Sequence, residues 1–167
     1  AVRDLIMVWA ETEQVNEAWA YFKTIGKKDK FYTMLERLGW IYTEQGKNNN
    51  AISVYQRLIA EAPLRESNVK IHGKLAALQE HAGRNKSLVV SLKQMRNTYL
   101  DGGSWYREHY KNKTRINEAN EIVEFNLHHY GTLFHTRGMK TKKKTNLAVA
   151  EKVYSLYLDA YGKTKTA

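Results

Sequence analysis

Six histidines, the pair Lys70 and Lys74, and a lysine run from 140 to 144 are the side chains whose type and spacing bear on chemistry. His128 and His135 stand seven residues apart, so on a helix they share one face two turns long, with His129 and Thr132 nearby. A protein zinc site takes at least three ligands, and no neighbouring position supplies a third, so these residues are read as polar lining and no metal is expected. Lys70 and Lys74 lie four apart, on one face, where two ammonium groups can hold a carboxylate or a phosphate. Lys140, Lys142, Lys143 and Lys144 form the densest charge cluster. Such a run reads first as a solvated loop. The alternative is phosphate binding, since Trp105, Tyr106, Arg107 and Tyr110 add aromatic faces beside basic ones. A glycine-rich phosphate loop, a nucleophile elbow and a His-Glu-x-x-His pair are all absent. With no cysteine there is no thiolate ligand, disulfide or thiol nucleophile either. The expectation is a non-catalytic chain that uses no cofactor.

Helices must position these groups. The 167 residues are 43% hydrophobic, with one proline and 10 glycines, a composition that favours helices over strands. No apolar run approaches the about 20 residues needed to span a membrane. The net charge of +10 raises the alternative of nucleic acid or an anionic surface as partner. The lysines are spread along most of the chain, which fits a lysine-rich solvated surface instead, and nucleic acid is not the expected partner.

Periodicity is clearest between residues 35 and 63. Leu35, Leu38, Ile41 and Tyr42 recur at helical spacing and Gly46 ends that helix. Ala51, Tyr55, Leu58 and Ile59 share one face of a second helix, and Pro63 closes it. A Leu38-Gly39 pair followed by Tyr42, then Ala51, Tyr55 and Leu58, then proline, closely resembles the tetratricopeptide repeat. One period earlier stand Leu5, Ile6 and Trp9, then Ala18, Phe22 and Ile25 before Gly26. One period later come Leu75, Ala76 and Leu78, a turn at Gly83, then Leu88, Leu92 and Met95. Three hairpins are expected over 1–29, 30–64 and 65–103. Residues 104–121 are expected to be an insert or linker, a short helix or the start of a long one. Residues 122–167 then form a modified fourth hairpin. Its first helix carries Tyr130, Gly131 and Phe134, its second Ala150, Tyr154 and Tyr157. A long basic connection starts at Gly138, and Asn146 is the expected N-cap.

The resemblance implies an all-α fold, an α-α superhelix of about four hairpins, and binding of a protein or peptide in a concave groove lined by the first helices. The lining positions are Thr33, Glu36, Arg37, Trp40 and Glu44 in the second unit, Lys70, Lys74, Ala77 and His81 in the third, and His128, Thr132 and His135 in the fourth. Trp40 is the expected anchor, its alternative being packing against the next hairpin. Glu36 and Trp40 replace two positions of the family's carboxylate clamp, so recognition of an acidic tail is not implied. Tyr154, Tyr157 and Tyr161 are candidates for self-association through the terminal hairpin. The opening Ala-Val-Arg-Asp and the lack of a polar capping helix suggest a piece of a longer protein. The layout of the last hairpin is similar to large envelope repeat proteins of delta-proteobacteria, which would place it in the periplasm or cell envelope.

Overall fold

A computed structural model describes residues 2–162, and the described residues form nine helices and no strand. In order they are α1 (Val2–Thr12), α2 (Val15–Ile25), α3 (Lys28–Glu44), α4 (Asn48–Glu61), α5 (Asn68–His81), α6 (Asn85–Tyr99), α7 (Ser104–His109), α8 (Lys113–Thr141) and α9 (Lys144–Tyr161). They divide into two compact units, Ala1–Pro63 and Leu64–Ala167.

In the first unit, α3 and α4 are an antiparallel pair whose turn is fixed by Gly46 at φ +70°, a conformation that costs glycine little. Leu35, Leu38, Tyr42, Ala51, Tyr55 and Leu58 are all fully buried between and beside the arms. Gly39 lets the two helices touch: a Cβ there would sit 2.5 Å from the Tyr55 ring. Gly39→Ala should therefore cost about 1–3 kcal/mol, the range for forcing a methyl into a packed core. A urea titration followed by helical circular dichroism checks it, and an unchanged midpoint would mean the contact is loose. Alongside, α1 runs in the same direction as α3. The Tyr42 hydroxyl donates to the Trp9 carbonyl (3.3 Å), and Lys47 Nζ reaches the Ala10 carbonyl (2.9 Å) and Glu13 (3.2 Å). Trp19 is buried under the Arg57 guanidinium, 4.1 Å from its ring centre, and meets Phe31 edge-on at 5.4 Å.

In the second unit, α5 and α6 pair through a turn at Gly83, again at positive φ (+67°). Residues 104–121 fold into α7 and the first turns of α8, which then runs unbroken for 29 residues. The Asn112 side chain caps its start, accepting the Arg115 N–H at 3.0 Å. The basic connection is correspondingly short. Lys140 lies in the last turn of α8, Lys142 and Lys143 make the turn with Lys142 at φ +55°, and Lys144 already begins α9. The cause is packing: Gly138 lies so close to α9 that a Cβ would come within 2.5 Å of Leu147, and this holds the last turn helical despite its charge. Asn146 is accordingly inside α9 and buried, with its amide toward the Thr141 hydroxyl at 3.4 Å. Lys143 occupies the N-cap position.

Gly131 meets the Tyr154 ring (2.8 Å to a Cβ) as Gly39 meets Tyr55. Seven residues farther along α8 and seven back along α9, Gly138 meets Leu147, one continuous antiparallel register. Tyr55 follows Gly39 by 16 residues and Tyr154 follows Gly131 by 23, so this hairpin is longer by about one helical turn in each arm. Three ion pairs set α8 beside α5 and parallel to it: Glu66–Arg115 (2.6 Å), Lys70–Glu118 (2.6 Å) and Glu80–Arg137 (2.8 Å).

Candidate functional site

The outward face of α3 follows from its inward one. With Phe31, Leu35, Leu38 and Tyr42 turned into the core, Thr33, Arg37, Trp40 and Glu44 are left exposed and Glu36 half-buried. Trp40 is 45% exposed, a high value for the largest side chain, and the Arg37 guanidinium lies 5.8 Å from its ring centre. A flat aromatic flanked by a guanidinium offers apolar area and directed hydrogen bonds together, the composition of a protein-binding anchor. One turn along, the Thr43 hydroxyl donates to the Gly39 carbonyl at 2.9 Å, and burial pushes the Tyr55 phenol up to about 12.

On α5, Lys70, Lys74, Ala77 and His81 are exposed. Lys70 does not act with Lys74 as a free cation pair, because Glu118 of α8 already supplies its carboxylate and holds the ammonium pKa above the usual lysine value. Spacing alone gives no sign of Glu118, which is 48 residues away in the chain.

On α8, His128, Thr132 and His135 are exposed on one stripe. The His128 ring faces Tyr157 edge-on at 6.1 Å, and His135 Nδ1 lies 3.4 Å from the Tyr154 hydroxyl. Among the described residues no group of three His, Cys, Asp or Glu is placed to hold a metal ion. Glu121, Glu124, Phe125, His128 and Tyr157 line a shallow depression of ≈ 310 Å³. Glu121 and Phe125 are further functional candidates on the same stripe, legible in hindsight from the four-then-three spacing of positions 121, 125 and 128.

The three tyrosines of the last helix are already engaged within the hairpin. Tyr154 covers Gly131, the Tyr157 hydroxyl donates to Glu124 at 3.3 Å, and the Tyr161 hydroxyl reaches Asn120 at 3.1 Å. Lys140, Lys142, Lys143 and Lys144 are all exposed at the hairpin tip. The aromatic residues near them in sequence do not form one surface, since Trp105 is fully buried while Tyr110 is exposed. No helix is long and apolar enough to cross a membrane among the described residues. Compared with known proteins, the chain matches no family model, no curated protein and no solved structure.

Proposed function

We propose that this chain is a helical-repeat scaffold of tetratricopeptide type, an α-α superhelix of about four hairpins that binds a protein or peptide without catalysing a reaction. The repeat reading is supported by Gly39 against Tyr55 and Gly131 against Tyr154, the same small-on-aromatic contact at the same place in two hairpins. The binding reading is carried by one observation: Trp40 stands out from α3 beside Arg37 while Phe31, Met34, Leu35, Leu38 and Ile41 of the same helix are buried. Exposing an indole costs free energy that burial against a partner recovers.

The test is capture of partners from the native source with wild type and Trp40→Ala, at low and high salt. A protein held at high salt by wild type and lost by the variant is the expected result. Because Trp40 is 45% exposed, the variant should keep its fold and lose only about 1 kcal/mol of stability, which a parallel thermal melt would verify. The exposed lysine tip supports a second reading, an anionic surface or nucleic acid held electrostatically. Binding of that kind weakens steeply as salt rises and ignores Trp40.

A further inference from the structure

The 29-residue α8 is committed on most of its circumference. Ala119, Val123, Leu127, Tyr130 and Phe134 face the core, Glu118 and Arg137 are ion-paired to α5, and Gly131 and Gly138 touch α9. The outward surface includes a stripe of Glu121, Phe125, His128, Thr132, His135 and Met139, every member exposed and spaced alternately four and three residues apart, with exposed His129 and Thr136 along one edge and the His129 ring stacked on Phe125 at 5.5 Å. That is the 3.5-residue repeat of a seam between two helices. It extends about 27 Å along the axis. Phe125 is 66% exposed and Met139 64%, so the two large apolar members are spent on no contact that would bury them.

We infer that this stripe is the contact face of a homodimer in which two copies of α8 pack antiparallel about a two-fold axis at Thr132. Charge selects both the occupant and the direction. Carboxylates Glu121 and Glu124 flank one end of the stripe, and Lys140, Lys142 and Lys143 flank the other. A parallel pair would set acid on acid and lysine on lysine. An antiparallel pair centred on Thr132 sets Phe125 on the second copy's Met139 and His128 on the second copy's His135. It also brings the acidic end at Glu121 to the lysine turn, Lys142 and Lys143, of the second copy. One chain cannot make these contacts with itself, because both ends lie on one rigid helix. The two-fold arrangement is closed and uses the same patch on both subunits. This deepens the protein-binding reading at His128, Thr132 and His135, for which it names the partner, and it is independent of Trp40.

The absence of cysteine makes the geometry directly testable in the full chain. Sedimentation equilibrium should show the mass rising from one chain toward two with concentration. Phe125→Ser with Met139→Ser, both at exposed positions that leave helix content unchanged, should weaken association at least about tenfold. Under oxidation Thr132→Cys should cross-link to itself. Phe125→Cys should not, since the two copies of residue 125 would be about 21 Å apart, but it should cross-link when mixed with Met139→Cys. A chain that stays monomeric at every concentration and yields no cross-link overturns the proposal. So does a dimer indifferent to the serine substitutions, or one that cross-links through Phe125→Cys alone. Because Trp40→Ala should leave the dimer intact, capture that is indifferent to Trp40→Ala counts against the α3 face alone, and a chain that does not dimerise counts against this face alone.

Discussion

Trp105→Ala should destabilise the second unit by about 3–5 kcal/mol, the range for emptying a fully buried indole site. The side chain is completely enclosed, although it sits in a six-residue helix within a polar stretch. It meets Tyr99 edge-on at 5.5 Å and His109 at 4.3 Å. Its indole N–H donates to the Arg65 carbonyl at 2.8 Å, while His109 Nε2 lies 2.8 Å from the Leu64 carbonyl. Trp105 thus ties the strand of backbone entering α5 to α7, forty residues later. Truncation would leave a cavity and remove one of the two donors to the Arg65 carbonyl, which also accepts the Asn68 N–H at 3.1 Å. Trp105→Phe keeps most of the ring and loses the hydrogen bond, so its cost should be nearer about 1–2 kcal/mol. Urea unfolding of the three chains measures the series. A shift below about 1 kcal/mol for the alanine variant would mean that α7 is not packed as described. The same burial removes Trp105 from the aromatic-basic platform that its sequence neighbours suggest, since a ring in the core cannot stack on a base.

How much of this was legible in the sequence depends on the range of the forces involved. The helical class and the turns at Gly46 and Gly83 follow from local chemistry, apolar spacing on one side and a residue tolerant of positive φ on the other. The packing of segment 104–121 did not yield to the same reasoning. The burial of Trp105 depends on Tyr99 and Arg65, which nothing at positions 105–110 announces. Lysine content suggests a loop from Gly138 onward, yet Lys140 projects from the last turn of α8 and Lys144 from the first of α9, leaving only Lys142 and Lys143 as a tight turn beyond the contact of Gly138 with Leu147. Composition reports the exposed side of such a turn and not its packed side. Trp40 illustrates the converse: helical phase places it outward on α3, and its 45% exposure is a matter of packing that phase alone does not give.

Lowering the pH from 7 to 4.5 should cost the second unit roughly 2–3 kcal/mol through His72 alone. Its imidazole is buried among α5 and α6, with Nδ1 3.0 Å from the Tyr99 hydroxyl and the two rings edge to face at 5.6 Å. Burial, opposed in part by the Gln94 side chain, drops its pKa from 6.5 to about 4. The folded chain therefore binds this proton later than the unfolded chain does. The stabilisation is complete above about pH 6.5, declines as the unfolded state takes up a proton the folded state refuses, and is gone once pH falls below about 4. In His72→Gln the amide can still meet the Tyr99 hydroxyl but does not titrate. That variant should be less stable than wild type at pH 7, with the gap narrowing steadily toward pH 4.5. Denaturant unfolding at several pH values reads this directly, because the carboxylates common to both chains cancel in the difference. Parallel profiles would show that His72 is not held neutral. Tyr99 touches both His72 and Trp105, so the two sites share one packed group. The double variant should consequently lose less than the sum of the single losses, since the first substitution already loosens the ring that the second would have unpacked.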